Sequence, residues 1–78
     1  MRKRRTEFEI IKEILEVARF GAKKTEIVYK TNLTFTRVNR YLKYLLEKGL
    51  IKRENDYWKT TEKGLEFIVN FHRLTKHM

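Results

Sequence analysis

The stretch that decides the fold is TFTRVNRYLKYLLEK, residues 34–48. Its apolar residues follow the i, i+4, i+7, i+8 spacing of a buried helical stripe. They are Val38, Leu42, Leu45 and Leu46, with Phe35 and Tyr41 at the edges. Polar and basic side chains of the types that read base edges and grip phosphates dominate the other side. They are Thr36, Asn39, Arg40, Lys43 and Glu47, flanked by Arg37 and Tyr44. The alternative interpretation is a solvated helix face. Thr34 is the predicted N-cap, and Gly49 is predicted to end the helix.

The composition limits the classes of protein to which this chain can belong. Its 78 residues allow one domain, near the lower size limit for folding alone, which favours an oligomer. The absence of cysteine excludes disulfides and thiolate metal sites. Because no apolar run is long enough for a membrane span or a signal peptide, we expect a cytoplasmic protein. The abundance of Lys and Glu, without Pro, Ser or Gln, is typical of a thermophile.

The net charge of +9 and the pI near 10.0 predict attraction to a polyanion, with nucleic acid first and an anionic membrane surface second. The excess charge lies at the N-terminus and in residues 23–49, which carry seven basic and two acidic residues. The sequence MRKRR is interpreted as a basic arm, residues 1–5, that lies along phosphates or enters a minor groove. Its basic residues are Arg2, Lys3, Arg4 and Arg5. A solvated tail is the alternative.

Two helices are predicted before the deciding stretch. Thr6 and Glu9 have the spacing of a capping box and begin a helix that ends at Gly21, with an acidic outer face that indicates a scaffold role. A short helix over residues 24–31 places Lys24 and Lys30 outside. Asn32 is suited to a tight turn, since it tolerates the left-handed region. The pattern predicts a helix-turn-helix, with an ordinary corner between two helices as the alternative.

After Gly49 the pattern indicates a hairpin, which would act as a wing beside the helix. Residues 50–53 and 57–60 are two short strands, and Glu54-Asn55-Asp56 supplies the turn. Trp58 is predicted to point into the core. Basic and aromatic side chains on the hairpin would contact phosphates or the minor groove: Lys52, Arg53, Tyr57 and Lys59. The alternative is a hairpin that only closes the core.

The last helix is predicted to begin after the cap residue Thr61 and to run to about residue 76. It has two apolar faces, whereas one core requires only one. The first comprises Leu65, Ile68, Val69 and His72. The second comprises Phe67, Phe71, Leu74 and Met78. We expect the second face to form a homodimer interface; the alternative is that Phe67 and Phe71 pack back on the first helix.

The sequence contains no pattern typical of catalysis. There is no paired-carboxylate, Ser/His/Asp or Gly-rich phosphate-binding arrangement. His72 and His77 are five residues apart on one helix and do not share a face, so they make a poor metal pair. We expect no enzyme activity, no cofactor and no metal.

Four segments together resemble a known family. They are KTEIVY (residues 24–29), NLTF (32–35), YLKYLLEKGLI (41–51) and TEKG (61–64). They are similar to the small archaeal winged helix-turn-helix DNA-binding proteins, including the chromatin-associated class of hyperthermophiles and related archaeal or archaeal-virus regulators. The resemblance implies the order α-α-α-β-β-α and dimerisation through the last helix, which is longer in the chromatin-associated members. It implies reading residues Thr36, Arg37, Asn39, Arg40 and Lys43, and wing residues Lys52, Arg53 and Tyr57. Thr60 stands where the family often has Leu, so we expect a thin core there.

The sequence therefore predicts a mainly α protein with a small hairpin. Residues 1–5 form the arm, 6–61 the winged helix-turn-helix core, and 62–78 the helix for core packing and dimerisation. The predicted function is sequence-specific binding of double-stranded DNA in transcription regulation, with helix 34–48 in the major groove and hairpin 50–60 as the wing. An architectural chromatin protein and a protein–protein adaptor are the alternatives. RNA binding and a membrane-surface role are less favoured, because exposed stacking platforms and a Lys/Arg-rich amphipathic helix are lacking.

Overall fold

A computed structural model describes residues 5–76, with side chains for residues 5–71. In this part of the chain, helices and strands follow the predicted α-α-α-β-β-α order, with one short strand added. They are α1 (Glu7–Val17), β1 (Ala22–Lys23), α2 (Lys24–Thr31), α3 (Phe35–Glu47), β2 (Ile51–Glu54), β3 (Tyr57–Thr60) and α4 (Glu62–Lys76). The described residues form the predicted winged-helix fold.

Local side-chain hydrogen bonds set the helix starts, as the sequence predicts. The backbone N–H of Glu9 donates to the Thr6 hydroxyl at 3.1 Å, and the Thr6 N–H donates back to the Glu9 carboxylate at 2.7 Å. The Arg37 N–H donates to the hydroxyl of Thr34 at 3.2 Å. The Gly64 N–H donates to the Thr61 hydroxyl at 3.1 Å. Each cap satisfies a backbone donor that the helix itself leaves unpaired.

The end of α1 differs from the prediction. The helix ends at Val17, with Ala18 as its C-cap, and residues 18–20 form a turn before Gly21. Gly21 has φ +99° and leads directly into β1. The carbonyl of Ala18 accepts from the Gly21 N–H at 3.1 Å and from the Thr60 N–H at 3.0 Å, so the turn after the helix, and not a further helical turn, connects to the sheet.

The strand β1 was not predicted. Ala22 pairs with Trp58 and Lys23 with Tyr57, so β3 is the central strand of an antiparallel sheet in the order β1-β3-β2. Two residues are too few to show a period-2 pattern. The hairpin register pairs Ile51 with Thr60 and Lys52 with Lys59.

One core lies between the helices and the sheet. Ile14, Leu15, Ile27, Val38, Leu42, Leu45 and Ile51 are each at most 1% exposed. Trp58 points inward, as predicted, and is 8% exposed. Leu46 was predicted to be buried but is 46% exposed. It lies at the edge of the α3 stripe, and the core covers only the arc centred on Val38, Leu42 and Leu45.

The base of the hairpin is closely packed rather than thin. Thr60 is buried, and its hydroxyl donates to the Leu15 carbonyl of α1 at 2.6 Å. Gly64 lets α4 approach the same region, because a Cβ there would collide with the Leu50 carbonyl oxygen and the Thr60 methyl group. Thr60 of β3 therefore contacts α1 through its hydroxyl group and lies against α4 through its methyl group.

Candidate nucleic-acid interface

The outer face of α3 presents every side chain that the sequence assigned to base reading. Thr36, Arg37, Asn39, Arg40 and Lys43 are all exposed. Val38, Leu42 and Leu45 anchor the opposite face in the core, so the helix cannot rotate without exposing them. Among the described residues, no guanidinium or ammonium group on this face forms an ion pair. The face therefore offers Arg and Asn side chains of the types that pair with base edges.

The turn before α3 fixes the position of that face. Asn32 adopts the left-handed conformation at φ 59° and ψ 37°. Its neighbour Leu33 is 7% exposed and its N–H donates to the Val28 carbonyl at 3.3 Å. The buried Thr31 hydroxyl donates to the Ile27 carbonyl at 2.7 Å. Asparagine thus supplies the tight turn without a glycine.

The outer face of the sheet carries a row of basic and aromatic side chains. Lys52 and Lys59 are directly opposite each other in the register and point away from the core. Tyr57 is 48% exposed on the same face, next to Lys23, whose ammonium lies 5.7 Å from the Tyr57 ring centroid. Lys23 was not assigned to the interface from the sequence, because only the pairing of β1 with β3 brings it there.

Two of the predicted wing cations have partners within the chain. The Lys52 ammonium lies 3.3 Å from the Glu54 carboxylate. Arg53 is on the other face of the hairpin, where its guanidinium lies 5.5 Å from the Trp58 ring centroid. The Arg53 Nε–H also donates to the Asn55 carbonyl at 3.2 Å, near the tip. Lys52 and Arg53 therefore lie on opposite faces.

The structure also describes the predicted cations on α2 and the last one of the arm, Arg5. Lys24 is half-buried, and Lys30 is exposed but lies 3.2 Å from the Glu26 carboxylate. The Arg5 guanidinium donates to Glu13 at 2.6 Å and to the Thr31 carbonyl at 2.8 Å, so it is held by α1 and the end of α2. The other basic arm residues, Arg2, Lys3 and Arg4, lie outside the described residues.

Two of the four apolar residues predicted to form the dimer interface, Phe67 and Phe71, contact α1 of the same chain. The Phe67 ring stacks on Phe8 with centroids 6.5 Å apart, and the Lys12 ammonium lies 5.6 Å from the Phe71 ring centroid. Phe8 is nevertheless 62% exposed. The side chain of Leu74 and all of Met78 lie outside the described residues. Tyr44, on α3, is 46% exposed, with the Lys48 ammonium 5.6 Å from its ring centroid.

Metal sites and membrane spans are two further features to consider in the described residues, 5–76. No group of three or more His, Cys, Asp or Glu side chains there is arranged to hold a metal ion. None of the helices in that part of the chain has the length and apolar character needed to cross a membrane.

Known proteins are similar to this chain in sequence or in structure. An uncharacterized protein of Methanocaldococcus jannaschii, MJ0287, is 32% identical over 78 residues, covering 99% of this chain and 80% of its own length. The crystal structure of Sso10a-2, described as a DNA-binding protein from Sulfolobus solfataricus, superposes with a TM-score of 0.80 at 28% identity. That superposition covers 92% of this chain and 80% of the other. Residues 4–78 match the family described as winged helix-turn-helix. The chain belongs to the winged helix-turn-helix family.

Proposed function

We propose that this chain is a sequence-specific double-stranded DNA-binding protein that regulates transcription, with α3 in the major groove and the hairpin as a wing. The observation that carries the proposal is the exposed face of α3, which presents Asn39 and two arginines, Arg37 and Arg40, that form no ion pair among the described residues. The similarity to Sso10a-2, a DNA-binding protein by its description, supports the same function. The proposed role is binding rather than catalysis, and it places the protein at the nucleoid, in the cytoplasm.

The interface divides between base reading and phosphate contact. Arg37, Asn39 and Arg40 would read base edges, with Thr36, Lys43 and Tyr44 beside them. Cations on the sheet, α2 and the arm would contact phosphates: Lys52, Arg53, Lys59, Lys24, Lys30, Arg2, Lys3, Arg4 and Arg5, with Tyr57 on the wing.

The sheet itself supports a polyanionic partner. Lys52 and Lys59 are directly opposite in the register, and like charges in that position destabilise a sheet. Glu54 offsets the charge of Lys52 only. A phosphate group near the pair would relieve the repulsion.

An architectural role is the second candidate. The net charge of +9 and the lysine-rich sheet face favour binding that does not depend on sequence. In that role Arg37 and Arg40 would contact phosphates rather than bases. A third candidate, a protein–protein adaptor, is less favoured because the α3 face is polar and basic, whereas interface centres are depleted of charge.

The first experiment measures binding to random and selected duplexes at about 50 and 200 mM salt. Enrichment of one motif whose discrimination survives the higher salt supports a specific regulator. Tight binding to every duplex that weakens equally with salt supports the architectural role. The absence of binding to any duplex contradicts both and favours the adaptor.

Two substitutions separate base reading from phosphate contact. We expect Arg40→Ala to reduce discrimination at one base pair by about 1–3 kcal/mol. Lys59→Ala is the matched control, and we expect it to weaken all sequences alike and to reduce the salt slope by about 1. Quantitative competition binding with a set of single-base variants measures both effects. If Arg40→Ala weakens all sequences equally, Arg40 is a phosphate contact.

We also propose that the protein acts as a homodimer through the outer part of α4, with Phe67, Phe71, Leu74 and Met78 at the interface. A second copy would cover the edge of Phe67, which stacks on Phe8 of α1 and remains partly exposed. The small size of the core supports this proposal, because a domain of 78 residues buries a limited fraction of its surface.

A further inference from the structure

A groove lies between the N-terminal turns of α1 and the face of α3 that looks toward them. Its volume is about 390 Å³. The residues that define its chemistry are Glu7 and Phe8 of α1 and Arg37, Arg40, Tyr41 and Tyr44 of α3. Ligand sites in proteins usually measure roughly 300–1,000 Å³, so the groove is large enough for a small molecule.

The walls of the groove are aromatic and apolar. Phe8 is 62% exposed and Tyr44 is 46% exposed, which is high for large aromatic side chains on so small a domain. Tyr41 of α3 is half-buried, and the buried Ile11 of α1 also forms part of the lining. A planar apolar group placed here would cover aromatic surface that now faces water.

The charged side chains of the groove determine which polar group a ligand must carry. Arg37 and Arg40 are three residues apart on α3, so their side chains are neighbours on the helix surface. Within residues 5–71 neither guanidinium makes an ion pair or a side-chain hydrogen bond. Two guanidinium groups beside each other can bind one carboxylate with paired hydrogen bonds. Glu7, on the same lining, opposes a second negative charge on the ligand.

We propose that this groove binds a small planar aromatic monocarboxylate. Arg37 and Arg40 hold its carboxylate, Phe8, Tyr41 and Tyr44 contact its ring, and Glu7 restricts the site to ligands with a single negative charge. The two guanidinium groups, which have no ion-pair partner within residues 5–71, favour an anion, and the aromatic walls favour a ring.

The site has a consequence for regulation, and this part rests on the DNA-binding function proposed above. The same two arginines would read base edges, so a bound carboxylate and DNA compete for them. By thermodynamic linkage the ligand lowers DNA affinity by the same factor by which DNA lowers ligand affinity. The site would therefore release DNA when the ligand accumulates.

Binding is tested on the protein alone with three probes of matched shape: 2-naphthoate, the neutral 2-naphthamide, and the dianion naphthalene-2,6-dicarboxylate. We expect saturable binding of 2-naphthoate by calorimetry, with amide NMR shifts confined to residues 7–11 and 37–44. We expect the other two probes to bind at least about tenfold more weakly, since one lacks the charged acceptor and one faces Glu7. If the dianion binds most tightly, the attraction is that of a basic surface for any anion, and the proposed site is wrong. Equal binding of the amide also overturns it.

Variants locate the site. We expect Arg37→Gln and Arg40→Gln each to weaken 2-naphthoate binding at least about tenfold, because each removes charge-assisted hydrogen bonds. Arg19→Gln is the charge control, since Arg19 is exposed in the turn after α1 and lies outside the groove, and it should leave binding unchanged. Phe8→Ala should weaken binding, while Tyr29→Ala, which removes an 84% exposed aromatic side chain outside the groove, should not. Glu7→Gln should restore binding of the dianion. Unchanged binding in both arginine variants overturns the proposal.

Competition between 2-naphthoate and DNA distinguishes a failure of the ligand site from a failure of the proposed DNA-binding function. With a duplex bound, we expect saturating 2-naphthoate to raise the apparent Kd for DNA at least about tenfold, and 2-naphthamide to have no effect. If 2-naphthoate binds the groove and DNA affinity does not change, the regulatory part of the proposal is wrong. If the protein binds no DNA and 2-naphthoate still binds the groove, the proposed function fails and the ligand site stands.

Discussion

At the residue scale, one hydroxyl group joins the hairpin to the first helix. The Thr60 hydroxyl donates at 2.6 Å to the carbonyl of Leu15, one of the last four carbonyls of α1, for which the helix has no internal donor. The family resemblance treated this threonine as a loss of apolar volume. The structure shows it as a buried donor that satisfies a backbone acceptor.

The first prediction concerns this hydrogen bond. Thr60→Val keeps the side-chain shape and removes the donor, so the Leu15 carbonyl is left buried without that partner. We expect the free energy of unfolding to fall by about 1–3 kcal/mol. Thr25→Val is the matched control, because Thr25 is an exposed threonine with no side-chain hydrogen bond among the described residues. Chemical denaturation measures both, and equal effects in the two variants would contradict the assigned role.

At the element scale, the turn between α2 and α3 shows which parts of the fold are encoded locally. The Asn32 turn, the three threonine caps and the inward Trp58 were predicted, because each depends on side chains within a few residues. The strand β1, the early end of α1 and the exposure of Leu46 were not predicted. The first two depend on partners far along the chain, as when Trp58 pairs with Ala22, and the third depends on how wide an arc of α3 the core covers.

The candidate site likewise contains features that the local sequence predicts and features that it does not. The exposed residues of α3 follow from helical periodicity alone. The position of Lys23 beside Tyr57 and the binding of Arg5 to Glu13 and Thr31 depend on tertiary contacts, which no local pattern in the sequence indicates.

The second prediction concerns the turn. Asn32 has φ 59°, a conformation that costs most L residues about 1–2 kcal/mol. We expect Asn32→Ala to lower the free energy of unfolding by about 1 kcal/mol and Asn32→Gly to change it little. Thermal denaturation measures the difference. A loss of the same size in both variants would indicate that the Asn32 side chain, and not its backbone conformation, stabilises the turn.

At the scale of the whole molecule, the question is whether one copy is complete. Phe67 and Phe71 of α4 lie against α1 of the same chain, and both side chains remain partly exposed. A further helix from a second copy would cover the part of these aromatic rings that faces water.

The third prediction tests the proposed homodimer. We expect the protein to sediment as a dimer at tens of micromolar and Phe71→Glu to sediment as a monomer. Val69→Glu is the matched control, because Val69 lies two residues from Phe71, on the opposite side of α4, and this variant should stay dimeric. Circular dichroism of each variant shows whether it remains folded, which matters because Phe71 contacts Lys12. A monomeric wild-type protein would overturn the proposal, and a monomer only in Val69→Glu would place the interface on the other face.

The hairpin has a consequence for how proteins of this architecture can diverge. Glu54 and Tyr57 are the last pair of its register, and only Asn55 and Asp56 lie beyond them. Residues inserted there in twos, one on each strand, would lengthen the hairpin by about 3.3 Å per pair without shifting Ile51 or Thr60 in the core. Insertion of a single residue would instead force a bulge. The length over which the hairpin can contact a partner can therefore change by two residues at a time during evolution, without a change in the packing of the core.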